Sequence, residues 1–120
     1  MYDTTKPYMK QVLDLIKRTL DTKYVSVKDG IVTRKFDYPT FSHVDGIGTK
    51  GKYHWQKRTF KNAVLDGLAM NLNDTALQRA TPYELIDHLF LPKDYKEAAL
   101  EIIDSLSSEC INRDIAITGG

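Results

Sequence analysis

Thr40-Phe41-Ser42-His43-Val44-Asp45-Gly46-Ile47-Gly48-Thr49-Lys50-Gly51 carries a short strand-like run into a loop with three glycines, and the chain that follows it decides the fold. Phe60, Val64, Leu65, Leu68, Leu72 and Ala76 recur at helical spacing, which predicts a helix from about Thr59 to Gln78. Thr81-Pro82 closes that stretch, because a residue before proline is pushed out of the helical region. Tyr83 to Phe90 reads as a strand. A further helix is expected from Asp94, with Glu97 three residues on as an aspartate form of the capping box. Tyr95, Ala98, Ala99, Ile102, Ile103, Leu106 and Cys110 form its apolar face, so Cys110 reads as a small core residue. Asn112-Arg113-Asp114 turns the chain into a last strand, Ile115 to Thr118. The order from Thr40 is strand, helix, strand, helix, strand. That order predicts an α+β domain, a mixed sheet with helices on one face.

Upstream, Met9, Val12, Leu13, Ile16 and Leu20 predict an amphipathic helix over about Lys6 to Leu20, with Pro7 in its first turn. Tyr24–Val27 and Ile31–Thr33 are strand-like and flank Lys28-Asp29-Gly30, a hairpin signal. The 120 residues, 42% apolar and 28% charged, suit one globular domain with an unstapled core. A single cysteine excludes an intrachain disulfide framework. No run reaches the roughly 18 apolar residues of a membrane span. The polar start Met1-Tyr2-Asp3-Thr4-Thr5 has no apolar signal-peptide core, and a cytoplasmic location is expected.

The net charge of +1 hides an asymmetry. Residues 1–61 carry thirteen Lys/Arg against six Asp/Glu, and residues 62–120 carry four against ten. Two oppositely charged solvated faces would explain this, and so would a basic segment that holds an anion beside carboxylates that hold a cation.

Gly46-Ile47-Gly48-Thr49-Lys50-Gly51 is a literal G-x-G-x-x-G, but a dinucleotide fold needs a helix to open at its third glycine. Lys52-Tyr53-His54-Trp55-Gln56-Lys57 has no apolar helical stripe and is read as loop. Glycines let backbone N–H groups approach an anion, Lys50 adds a point charge for phosphate, and Asp45 suits a magnesium ion bridging phosphate oxygens. A plain turn is the other reading of this loop. On the following helix Asp66 and Asn73 lie about 20° apart off the apolar stripe, and Asp74 stands near a helix C-terminus, where the macrodipole disfavours an acid. His43, His54 and His88 share no metal-ligand spacing and read as structural or surface residues. Residues 50–61 interleave Lys50, Lys52, Tyr53, His54, Trp55, Lys57, Arg58 and Lys61, the pattern of a single-stranded nucleic-acid groove. A solvated basic loop with Trp55 turned inward is the preferred reading, and nucleic acid is not the expected partner.

His43-Val44-Asp45-Gly46-Ile47-Gly48-Thr49-Lys50 resembles the D-G-[VI]-G-T-K loop of aminoimidazole ribonucleotide synthetase, or phosphoribosylformylglycinamidine cyclo-ligase. Asp66-Gly67-Leu68-Ala69-Met70-Asn71-Leu72-Asn73-Asp74 is similar to that family's D-x-x-A-M-x-x-N-D helix. Gln78-Arg79-Ala80-Thr81-Pro82 resembles its Q-G-A-x-P turn, Asp87 falls where the family carries D-Y-F, and Ile117-Thr118-Gly119-Gly120 looks like the start of its G-G-E-T loop. The motifs run in the family's order from about Phe41 to Gly120. Phe60 stands where a histidine is usual, and Arg79 replaces the turn glycine.

The resemblance implies a PurM-like N-terminal domain for ATP-dependent ring closure in purine biosynthesis, from formylglycinamidine ribonucleotide to aminoimidazole ribonucleotide. It implies ATP and magnesium as cofactors and a homodimer whose sheets pair. Asp45 and Asp74 would hold magnesium, with Asp45 and Lys50 as the catalytic pair. Gly46, Gly48, Thr49 and Lys50 would hold phosphates, with Asn73, Asp66, Gly119 and Gly120 in support. The family has a second domain absent here, so the chain reads as a single domain incomplete for catalysis alone. The alternative is a non-catalytic module binding an anion or nucleic acid through residues 50–61.

Overall fold

The computed structural model describes residues 4–120, so the polar start Met1–Asp3 lies outside the described residues. The chain forms two compact units, one of residues 1–37 and 83–120, the other of residues 38–82. The architecture is α+β with small sheets.

In the first unit helix α1 (Met9–Ile16) runs into a 3-10 turn at Lys17–Thr19. The hairpin forms as expected, β1 (Val25–Lys28) pairing antiparallel with β2 (Ile31–Arg34). Asp29 and Gly30, with φ of 51° and 77°, make the two-residue turn whose twist suits a hairpin; aspartate and glycine are the residues that accept left-handed backbone. Strand β3 (Glu84–Ile86), helix α4 (Lys96–Ile111) and β4 (Ala116–Gly119) form a parallel β–α–β unit, with Leu85 opposite Ile117. Helix α4 buries Ala98, Ala99, Ile102, Ile103, Leu106 and Cys110, the face its periodicity predicts, and α1 buries Met9, Val12 and Ile16. Buried polar groups are satisfied: Thr19 Oγ1 donates to Ile16 O at 2.9 Å and accepts from Ile117 N at 3.1 Å, and Ser107 Oγ donates to Ile103 O at 2.8 Å.

Several expectations are corrected. The single mixed sheet is instead two two-stranded sheets, β1–β2 and β3–β4. Thr40–Val44 is not a strand; no strand among the described residues pairs with it, and Val44 is 92% exposed. The strand expected over Tyr83–Phe90 stops at Ile86, because the paired register with β4 runs from Glu84 to Ile86 and its last bond, from Asp87 N to Gly119 O, meets the end of β4. Helix α4 begins at Lys96 without a side-chain cap; Asp94 faces Tyr8 and Lys6 instead, accepting a hydrogen bond from the Tyr8 hydroxyl and standing 2.9 Å from Lys6 Nζ. That pairing holds Asp94 below the usual carboxylate range, first through Tyr8 and then Lys6, and raises the Tyr8 hydroxyl above its ordinary value.

The second unit holds α2 (Lys50–Lys57) and α3 (Phe60–Leu77). The segment read as a basic loop is therefore a helix. Its missing apolar stripe has a physical counterpart, since α2 buries only His54. Arg58, left-handed at φ 55°, ends α2, and its guanidinium lies 4.7 Å from the Trp55 ring centroid. Helix α3 buries Phe60, Val64 and Leu68 but not the second half of its predicted stripe, where Leu72 is half-buried and Ala76 exposed.

Candidate functional site

The glycine-rich loop delivers Gly48 and Thr49 directly into the first turn of α2. Gly48 has φ 63°, a backbone state that glycine adopts freely, and its carbonyl accepts from Gly51 N at 3.1 Å. A helix does open beside the G-x-G-x-x-G run, contrary to the sequence expectation, but no strand precedes it, so the dinucleotide fingerprint still lacks its context. The first turn of α2 contains no acidic residue, and Thr49 makes no side-chain cap. Within that turn Gly51 N and Lys52 N donate back to Gly48 O and Thr49 O, both at 3.1 Å, so the positive character of this end comes from the helix dipole and from Lys50, the first helical residue.

Lys50 leans toward α3. Its Nζ stands 3.3 Å from Asp66 Oδ2, and His54 Nε2 stands 2.9 Å from the same oxygen. A carboxylate accepts only, so Nε2 carries the proton, and in the neutral ring Nδ1 accepts from the Thr59 hydroxyl at 2.7 Å. His54 and Lys50 together hold Asp66 below the usual carboxylate range, His54 contributing most.

A second cluster surrounds Asn71. Its Nδ2 donates to Asp45 O and to Gly67 O, both at 3.0 Å, and its Oδ1 accepts from Asp45 N at 3.0 Å. The Asp45 peptide is therefore clamped on both sides by one carboxamide. Asp45 Oδ1 accepts from the next amide, Gly46 N, at 2.7 Å. His43 Nδ1 lies 3.2 Å from Asn71 Oδ1, and His43 Nε2 lies 3.1 Å from Asp74 Oδ2. Asp45 and Asp74 are thus both tied to the His43–Asn71 pair.

Of the residues singled out in the sequence, Asp45, Gly46 and Asp74 join the Asn71 cluster, Lys50 joins Asp66 and His54, and Gly48 and Thr49 lie in the connecting turn. Asn73 is solvent-exposed, and Asn71, two residues earlier, makes the bonds. Gly119 and Gly120 belong to the other unit, on β4 and just after it. Sequence reasoning missed Asn71, His43 and His54. Asn71 was reachable, because it shares a helix face with Asp74 at i, i+3. Among the described residues no group of three or more His, Cys, Asp or Glu side chains converges on a metal position, and no helix is long and apolar enough to cross a membrane.

No family model and no solved structure matches the chain. Curated proteins do. The chain is 35% identical over 78 residues to phosphoribosylformylglycinamidine cyclo-ligase of Saccharolobus solfataricus, covering 65% of this chain and 24% of that protein. It is 28% identical over 117 residues to the Clostridium botulinum protein of the same name (90% and 35%), and 30% identical over 90 residues to that of Methylobacillus flagellatus (74% and 26%). The chain spans about a quarter to a third of the length of the curated relatives it matches. Over most of its residues this chain is similar to phosphoribosylformylglycinamidine cyclo-ligases, the family that its loop and helix motifs resemble.

Proposed function

We propose that this chain is the PurM-like, nucleotide-binding and dimerising part of a cyclo-ligase-like protein of purine biosynthesis. The observation that carries the reading is the uncapped N-terminus of α2, fed by Gly48 and headed by Lys50. Backbone N–H groups and an ammonium together favour the phosphates of ATP. Asp45 and Asp74 are hard oxygen donors of the kind magnesium takes, one or two carboxylates with phosphate oxygens and water completing the shell, and the ion would compete with His43 Nε2, 3.1 Å away, for Asp74. A cage of three protein carboxylates is not needed for that. When bound, the ion would neutralise charge on the transferring phosphoryl group.

Ring closure is proposed for the whole protein to which such a domain belongs. ATP's terminal phosphoryl passes to the amide oxygen of formylglycinamidine ribonucleotide, an internal nitrogen attacks that carbon, and phosphate leaves as the imidazole forms. In this chain Lys50 and the dipole end of α2 bind and orient the phosphates, and Asn71 fixes the Asp45 backbone at the head of the loop. Trp55, covered by Arg58 and in ring contact with Phe60 at 5.9 Å, does not favour the nucleic-acid alternative. Exposed apolar residues of the first unit, Ile86 (64%) and Phe90 (92%), support burial in a homodimer.

Calorimetric titration with magnesium-ATP tests the site. Lys50→Ala and Asp45→Asn should each weaken binding about tenfold, the worth of about 1.4 kcal/mol and within the range of a charge-assisted contact. Equal binding in both variants, or no binding by the unaltered chain, would refute this assignment.

A further inference from the structure

Helix α2 buries one residue, and that residue is a histidine. An aliphatic side chain would fill such a position without the cost of desolvating a polar ring, so the imidazole is retained for its bonds. Both of its nitrogens are engaged, Nδ1 by Thr59 and Nε2 by Asp66. Thr59 supplies an independent observation. It occupies the N-cap of α3, where a threonine hydroxyl ordinarily accepts from the helix's own first N–H groups, yet it makes no such cap. Its hydroxyl is turned onto the imidazole. The left-handed Arg58 permits this, since the corner it makes brings Thr59 N within 3.1 Å of His54 O and the hydroxyl beside the ring. At the other end of the relay, Lys50 and His54 address the same oxygen of Asp66.

We propose that His54 is a positioning residue: oriented by Thr59, it fixes the Asp66 carboxylate, and Asp66 sets where the Lys50 ammonium stands at the mouth of the glycine loop. The ligand class, a phosphate, rests on the reading given above; the relay itself does not. Without His54 the carboxylate is free to turn toward water, and Lys50 loses its fixed counter-ion. Lys50 then meets an incoming anion from many rotamers instead of one, a side-chain entropy loss that falls on the binding step.

Competitive acylation of the intact chain by an amine-reactive ester, read residue by residue in a mass spectrometer, tests the relay without any nucleotide. Lys52 and Lys57 on the same helix serve as references. His54→Ala and Asp66→Asn should each raise Lys50 labelling about two- to fivefold, the size that a partly exposed ion pair supports. The double variant should label like Asp66→Asn alone, because both changes act on one path. Thr59→Ser should match the unaltered chain and Thr59→Val should not, a distinction that a merely structural role would not make. This pair also decides the matter if His54→Ala fails to fold. Unchanged Lys50 labelling in a folded His54→Ala, multiplicative effects in the double variant, or identical behaviour of Thr59→Val and Thr59→Ser would overturn the proposal. Loss of the phosphate reading would show separately, as magnesium-ATP binding indifferent to Lys50→Ala.

Discussion

Replacing Asn71 by alanine should loosen the glycine loop without unfolding the helix that carries it. The carboxamide makes two hydrogen bonds to the Asp45 peptide and one to Gly67 O, each 3.0 Å long. A hydrogen bond contributes about 0.5–1.5 kcal/mol net, and the exposure of this site puts the two Asp45 bonds at the lower end, about 1–2 kcal/mol together. At 1.4 kcal/mol per factor of ten, the Asp45 amide should exchange with solvent about 5- to 30-fold faster in Asn71→Ala. Asn71→Asp keeps an acceptor for Asp45 N but loses the donor to Asp45 O, so it should fall between. The amides of Val64 and Leu68, on the buried face of α3, are the reference. Hydrogen exchange read by NMR at matched pH measures both sets. An unchanged Asp45 rate would refute the clamp. Equal acceleration at Val64 and Leu68 would show that the substitution melts α3 and that the clamp argument misplaces the energy.

Three further outcomes are expected. Burial pushes the Cys110 thiol up to about 12, so the folded state keeps a proton that the unfolded chain loses near 8.5; stability is whole below about pH 8.5 and falls by about 1.4 kcal/mol per pH unit toward 12, as urea melts of the unaltered chain and Cys110→Ala would show, the variant lacking that slope. Asp14, Asp66 and Asp94 all sit below their ordinary value, so the stability they contribute is present above about pH 4 and lost as pH falls through their folded values; Tyr8→Phe, which removes the first donor to Asp94, should shrink the loss measured between pH 5 and pH 2.5, and an unaltered loss would remove Tyr8 from the account. Light scattering coupled to size exclusion should give twice the 13.7 kDa chain mass at low micromolar concentration, whereas a monomer throughout dilution would contradict the sheet-pairing proposal.

What the sequence made legible is what local chemistry dictates. Asp29-Gly30 sets the hairpin because only the turn's own residues must accept left-handed backbone, and α4 is legible because its buried face repeats along one helix. Thr40–Val44 misleads for the opposite reason. Its composition suits a strand, but a strand exists only where a neighbour supplies hydrogen bonds, and that neighbour is not encoded within the segment. Asp94 carries a capping signature, but Tyr8, 86 residues away, takes its carboxylate. Helix α2 escapes notice because periodicity detects a buried apolar stripe, and its burial is a single imidazole.

The site divides along the same line. Asp45, Lys50, Asp66 and Asp74 are legible as charges that suit a phosphate and its cation. The groups that hold them are not, because Asn71, His54 and Thr59 act through bonds to backbone and to one another. Arg79 shows how far such context reaches. It stands where the resembled turn has glycine, and it adopts φ 54°, the conformation for which glycine would be chosen. A side chain in that conformation costs roughly 1 kcal/mol, the scale on which a left-handed non-glycine residue is disfavoured. Arg79→Gly should recover that strain, though glycine's greater freedom in the unfolded chain offsets part of it. A gain in thermal stability would locate the strain at this turn, and a loss would show that the arginine's own contacts outweigh it.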